Sequence, residues 1–178
     1  MRSVVVYESI YGNTHAVAEH IGVGLHAAGE VHVVSVSAAT SELLAAADLV
    51  VVGGPTHVHG MTSATSRHNA VESAARGELN VDAAATDPGL RDWFDQLEAV
   101  HGKVAAAFDT RFDGPPLLTG RASRGIARHL RGLGYRVLLA PESFLVDKHN
   151  VLIPGEAERA TQWAADLLGA IPIGAAAS

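Results

Sequence analysis

At 178 residues, with 48% apolar and only 18% charged side chains, the chain can bury one core as a single domain over 1–178, which excludes an intrinsically disordered protein. It has no cysteine, which excludes disulfides, thiolate catalysis and cysteine-ligated iron–sulfur or zinc centres; any redox chemistry must then be carried by a bound cofactor. The net charge of −6 is uneven, with one Arg against five acids in residues 1–60 and seven Lys and Arg against five acids in 121–178, so a nucleic-acid surface along the whole chain is excluded.

Met1-Arg2 leads straight into the β-branched run Val4-Val5-Val6, with no signal-peptide pattern before it. No apolar run reaches the roughly 20 residues that span a bilayer, so a cytoplasmic location without membrane contact is expected. The first strand passes through Tyr7-Glu8 into Ser9-Ile10-Tyr11-Gly12-Asn13-Thr14, which opens a helical pattern through Ala18 and Ile21. A second strand is predicted at 31–36, a short helix at 41–47 and a third strand at 48–53, a continuous apolar run suited to a sheet covered on both faces. The fourth strand falls at 103–108. A helix over 122–133, stopped by Gly134, leads to the fifth strand at 136–140. A last helix begins after Pro154-Gly155, with Glu156 and Glu158 in its first turn, and ends near Gly169. The tail 172–178 is rich in small residues and is expected to fray.

Alternating strands and helices imply a parallel sheet, hence a three-layer α/β/α sandwich. The segment 58–102 is longer than one crossover requires and reads as an insertion: a helix at 66–76, a polar connector at 82–87 and a second helix from Pro88-Gly89-Leu90 to Leu97. Trp93 shares helical spacing with Leu90, Phe94 and Leu97, which favours a core position over a cofactor contact.

The first strand-to-helix turn decides among nucleotide chemistries. It has one glycine rather than Gly-x-Gly-x-x-Gly, and the second strand closes on Ser35-Val36-Ser37 without the acid that holds a ribose, which disfavours a tightly held NAD. The nucleotidase pattern Gly-x-x-x-x-Gly-Lys-Ser/Thr and the hydrolase elbow Gly-x-Ser-x-Gly are absent. The third strand closes with Gly53-Gly54-Pro55, not with the Asp a phosphoryl-accepting receiver needs. What the turn does offer is an anion site. Free N–H groups in a helix's first turn and the positive end of its dipole bind phosphate, Ser9 and Thr14 add hydroxyls, and Gly12 lets the backbone approach closely.

This stretch resembles the phosphate loop of the flavodoxin family: Val5, Val6, Tyr7, Ser9, Gly12, Thr14, Ala18 and Ile21 satisfy every specified position of its pattern. The resemblance implies a five-stranded parallel sheet of order 2-1-3-4-5 with flavin mononucleotide (FMN) at the switch point between strands 1 and 3. It also implies that the loops after strands 3 and 4 complete the site. The first is Pro55-Thr56-His57-Val58-His59-Gly60, where Thr56 and Gly60 match the family by position, Pro55-Thr56 is similar to the loop of the quinone reductase branch, and histidines replace the usual aromatic. The second is Asp109-Thr110-Arg111-Phe112, whose Asp109 and Thr110 would address the pyrimidine edge while Phe112 stacks and Arg111 places charge near the flavin N1–C2 oxygen region. Asp109 as a cap of the following turn, paired with Arg111, is the structural alternative.

His57 and His59 alone leave a transition metal under-coordinated, so no metal site is expected. A structural role remains open to them. A flavin-side His59 would raise the potential as pH falls through its pKa. Arg121, Arg124, Arg128 and Arg131 recur at three- and four-residue steps along one helix face, which reads as a solvated face or as a dock for an anionic partner or a phosphorylated nicotinamide.

The resemblance leaves three functions: an electron carrier between a reductase and an acceptor protein, an oxidoreductase passing hydride from NAD(P)H to a quinone, or a flavin-free binding module. The first is favoured, because no nicotinamide or quinone motif is identifiable.

Overall fold

Val4, Val5 and Val6 form the centre of β1 (Arg2–Tyr7) because β-branched side chains pack well on a pleated surface covered on both sides. The computed structural model describes residues 1–57, 60–75, 82–86 and 88–172. Within them β1 lies between β2 (Glu30–Ser35) and β3 (Leu49–His57), parallel to both, with Val5 facing Val33 on one side and Val51 on the other. β5 (Val104–Phe112) continues the sheet beyond β3, also parallel.

The fifth position is shared by two short strands, β6 (Arg136–Val137) and β7 (Glu142–Val146), both parallel to β5. The sheet therefore has the order β2-β1-β3-β5-β6, with β7 beside β5 above β6 and a two-residue β4 (Gly60–Met61) turned back antiparallel on β3. In the five positions counted along the sheet this is the predicted 2-1-3-4-5.

The sequence pattern predicts an unbroken fifth strand at 136–140, and the structure breaks it. Ala105 pairs with Val137, but Phe108 pairs with Glu142, so the edge strand carries two more residues than β5 over that interval. The extra length is absorbed at 138–141, where Leu139 takes a left-handed φ of 53°. Glu142 and Ser143 look too polar for a strand. They are tolerated because Arg159 of α7 (Glu156–Ala170) bonds Glu142 Oε1 at 2.5 Å and stacks over Phe144, 4.5 Å from its centroid.

Strand alternation sends each apolar residue to one of two cores. Val5, Tyr7, Val51, Ala106 and Phe108 face α1 (Asn13–Leu25) and α7, meeting Val17, Ile21, Leu25, Trp163 and Leu167. Val4, Val6, Val50, Val52, Ala105 and Ala107 face the opposite layer of α2 (Ser41–Ala46), α4 (Leu90–Phe94) and α6 (Ala122–Gly132). Ile21 and Ile126, fully buried one on each side, each contribute about 1.5–3 kcal/mol of transfer free energy. Gly53 is required where it stands: a Cβ there would lie about 2 Å from the Phe108 ring.

In the insertion, α3 (Ala64–Ala75) and a short 3-10 turn (Ala83–Thr86) precede α4, which ends at Phe94 rather than running on to Leu97. Trp93 is core, as its spacing predicts, and its indole N–H donates to the Ala39 carbonyl at 3.3 Å. α6 stops at Gly132. The chain then turns at Gly134 with φ +92°, where the Tyr135 N–H reaches back to the Leu130 carbonyl at 3.0 Å. In the tail, residues 173–178 lie outside the described residues.

Candidate cofactor-binding site

The carboxyl ends of β1, β3 and β5 meet at one edge of the sheet, and the segment 9–14 crosses it. Gly12 holds φ +88° immediately before α1, a conformation that L side chains rarely adopt. The first intrahelical bond runs from the Ala16 N–H to the Gly12 carbonyl at 2.9 Å, so the N–H groups of Asn13, Thr14 and His15 precede any carbonyl the helix can offer. Ser9, fully buried, accepts from the Gly12 N–H at 3.1 Å. Thr14 Oγ1 and Thr110 Oγ1 share a buried hydrogen bond of 2.7 Å, which ties the start of α1 to the end of β5.

The loop is braced from the insertion. The Asp82 N–H donates to the Ile10 carbonyl at 2.8 Å, and Asp82 Oδ2 meets His15 Nδ1 at 3.1 Å. The His15 ring in turn stacks on Tyr7, 4.3 Å between centroids. On the opposite side, the buried Glu8 accepts from the Thr62 hydroxyl and from the Leu90 N–H, the latter at 2.9 Å. These contacts fix the insertion against the loop.

Above the loop opens a cleft of about 560 Å³, the size of a small-molecule cofactor site. Ile10 and Tyr11 line it from the first turn, Pro55, Thr56 and His57 from the end of β3, and Thr110, Arg111 and Phe112 from the end of β5. Ser9, Gly12, Asn13 and Thr14 form the helix start beneath it. Gly60 sits on β4 opposite His57 and faces a neighbouring cavity. Val58 and His59 lie outside the described residues.

The two segments read as loops, 54–57 and 109–112, are strand in the structure. β5 runs on to Phe112 because β7 pairs with it residue by residue from Phe108 to Phe112, and β3 reaches His57 by pairing with β4. Strand alternation then separates neighbours. Thr110 faces Thr14, whereas Asp109 points to the α6 side, fully buried, with Oδ2 accepting from the Ser123 N–H at 2.7 Å. Asp109 thus caps the start of α6 rather than the turn that follows it, and Arg111 bonds other groups.

Burial pushes the Asp109 carboxyl above the ordinary aspartate range, against the Ser123 N–H and the nearby hydroxyls of Ser143, Ser123 and Thr56, which favour the charge. Arg111, 8% exposed, holds the following loop: its Nη1 donates to the Phe112 and Gly114 carbonyls, at 3.1 and 2.8 Å, and to Thr119 Oγ1 at 3.1 Å.

A fourth wall, absent from the sequence reading, comes from Val146 at the end of β7 and from Lys148, His149 and Asn150 in the turn after it. Asp147 shapes that turn. Its Oδ1 accepts from the N–H groups of His149 and Val151, each at 2.9 Å, and the Val151 bond above all holds its carboxyl below the ordinary range. Asn150 sits at φ 60°, and its carbonyl accepts from Asn13 Nδ2 at 2.8 Å. The local signal was there in Asp147 and Asn150, residues that favour turns and left-handed backbone. That the turn would meet Asn13, far away in the chain, was not legible.

A parallel sheet with helices on both faces and a cleft at the carboxyl ends of β1 and β3 defines a doubly wound nucleotide-binding fold. The family model for flavodoxin matches residues 5–163, and the chain belongs to the flavodoxin family, whose members bind FMN. Among solved structures it is similar to flavodoxin 1 from Bacillus cereus, 21% identical with a TM-score of 0.65, covering 97% of this chain and 100% of that one. A flavodoxin from the domain Archaea gives the same identity and TM-score, covering 95% and 97%. A WrbA-like flavodoxin from Agrobacterium tumefaciens is 20% identical at a TM-score of 0.57, covering 94% and 95%. At these identities the likeness is one of fold. No curated protein sequence matches the chain.

The site fits FMN on its own chemistry. A glycine-opened helix start whose first N–H groups have no partner among the described residues suits a phosphate, and a cleft walled by Tyr11 and Phe112 suits a planar ring. No helix among the described residues is long and apolar enough to cross a membrane.

Proposed function

We propose that this chain binds FMN in the cleft between 9–14, 55–57, 110–112 and 146–150 and serves as an electron-transfer flavoprotein. The observation that carries the reading is the alignment of the α1 N-terminus with a 560 Å³ cleft at the carboxyl ends of β1, β3 and β5. When bound, the flavin supplies the capacity to accept and release electrons.

The protein's residues bind and orient. The N–H groups of Asn13, Thr14 and His15, with the hydroxyls of Ser9 and Thr14, receive the phosphate without a basic side chain. Tyr11 and Phe112 offer aromatic faces and Thr56 a hydroxyl, while Arg111 and Lys148 bring positive charge to the wall and favour negative charge developing in the cleft. Phe112, 53% exposed, leaves one rim open to an approaching partner protein.

Reconstitution of the purified protein with FMN tests the reading. Stoichiometric binding with quenched flavin fluorescence is expected, and no binding would leave the flavin-free module. Addition of NADPH then separates the carrier from the NAD(P)H:quinone oxidoreductase: bleaching only through an added reductase marks the carrier, and direct bleaching with quinone turnover marks the enzyme.

A further inference from the structure

The face of α6 carries more than a solvated stripe. Arg121, Arg124 and Arg128 line a second cavity of about 410 Å³, closed on the other side by Gly60 and Met61 of β4 and by Arg91 of α4. Four arginines therefore line one concavity in a chain of net charge −6, and among the described residues no carboxylate lines it. Arg131, the fourth member of the stripe, lies outside it.

One of the four is held in place by hydrogen bonds. Arg91 donates from Nε to the Thr62 carbonyl at 3.0 Å and from Nη2 to the Met61 carbonyl at 3.1 Å. Arg121 occupies the N-cap of α6, next to an Ala122 N–H that donates to Thr56 Oγ1 at 2.8 Å, and its Nε is walled off from solvent without a hydrogen-bond partner. Arg124 and Arg128 are exposed, and among the described residues neither pairs with an acid. Elsewhere the protein does neutralise its cations: Arg67 pairs with Asp92 at 3.0 Å, and Arg159 with Glu142 and Glu156. The β3–β4 hairpin separates this cavity from the cleft, Thr56 lying against one and Gly60 against the other.

We propose that the cavity between α6, α4 and β4 is a binding site for a phosphomonoester dianion carried on a small molecule. Planar guanidinium forks match phosphate oxygens in pairs, and four arginines lining one concavity offer an anion several charge-assisted donors at once. The size of the cavity suits one phosphoryl group and its attachment, not an extended polymer. The two sources of that chemistry are a free small phosphomonoester and the 2′-phosphate of a nicotinamide dinucleotide. The site does not depend on the flavin reading.

The test is calorimetric titration of the full chain, loaded with one equivalent of FMN and freed of unbound FMN, using inorganic phosphate, 2′,5′-ADP and NADH as probes, on the wild type and on R124Q/R128Q. Both substituted side chains are exposed, so fold and FMN affinity should be retained. The expected result is phosphate or 2′,5′-ADP binding that weakens about tenfold or more in the variant and falls with ionic strength, with NADH bound no better by the wild type than by the variant. Binding of 2′,5′-ADP much tighter than phosphate identifies the dinucleotide source; equal binding identifies a free phosphomonoester. Absence of binding in the millimolar range, or binding unchanged in R124Q/R128Q, overturns the proposal.

Discussion

Replacing Asp109 separates its role as a hydrogen-bond acceptor from its role as a charge. The side chain is fully buried at the start of α6, where it accepts from the equally buried Ser123 N–H. Asp109→Ala leaves that donor unsatisfied, a cost of about 1–3 kcal/mol, to which the lost interaction with the helix dipole adds about 0.3–1 kcal/mol. Asp109→Asn keeps an acceptor oxygen in the same position and should cost less than about 1 kcal/mol near neutral pH.

The pH dependence supplies a second readout. Burial raises the folded-state pKa above the ordinary value near 3.8, so between these two pKa values the native state binds more protons than the unfolded one. The contribution of Asp109 is therefore fully present below about pH 3.8 and is lost as pH rises through the raised pKa. The slope is at most about 1.4 kcal/mol per pH unit. Urea unfolding of the wild type and Asp109→Asn from acid to neutral pH isolates the group, because other titrations cancel in the difference. The wild type should lose stability relative to Asp109→Asn as pH rises. A difference that grows in favour of the wild type, or an Asn variant as damaged as the Ala variant, would refute the reasoning.

Thr110→Val strands the buried Thr14 hydroxyl and should cost about 1–3 kcal/mol in chemical denaturation, whereas T14V/T110V removes both partners and should recover part of that loss. Among the described residues Gly12→Ala meets nothing closer than Asp82 Oδ2 at 3.9 Å, so its penalty is conformational, about 1 kcal/mol from the left-handed backbone, and it should appear as weaker FMN binding in a fluorescence titration. Asp147→Ala should loosen the turn that carries Lys148, His149 and Asn150 and so weaken FMN binding at neutral pH. In the wild type the lowered Asp147 pKa keeps this turn ordered above the ordinary aspartate range and releases it as pH falls through the folded value, so wild type and variant should converge in strong acid.

The strands and helices were legible because a sheet covered on both faces demands continuous apolar runs, and Val4-Val5-Val6, 48–53 and 103–108 supply them. The phosphate loop was legible for a local reason too. Ser9, Gly12 and Thr14 act within six residues of each other, and the helix N-terminus they open is a property of that segment alone. The interruption of the edge strand was not, since Glu142 and Ser143 become strand residues only when Arg159, from another element, satisfies them.

The same division runs through the site. Asp109 and Thr110 are adjacent in sequence and chemically plausible together, yet extension of β5 beside β7 sends one to cap α6 and the other to Thr14, because successive side chains on a strand point to opposite faces. Lys148, His149 and Asn150 join the cleft through a hydrogen bond from Asn13 that closes most of the chain into one loop. The sequence by itself determined the family, the order of the layers and the anion-binding turn, all consequences of short-range pattern. Which flanking residues face the cleft, and that Arg91 closes the arginine face of α6 into a second cavity, was decided only by tertiary packing, since strand register and contacts between distant elements exist only once the chain has folded.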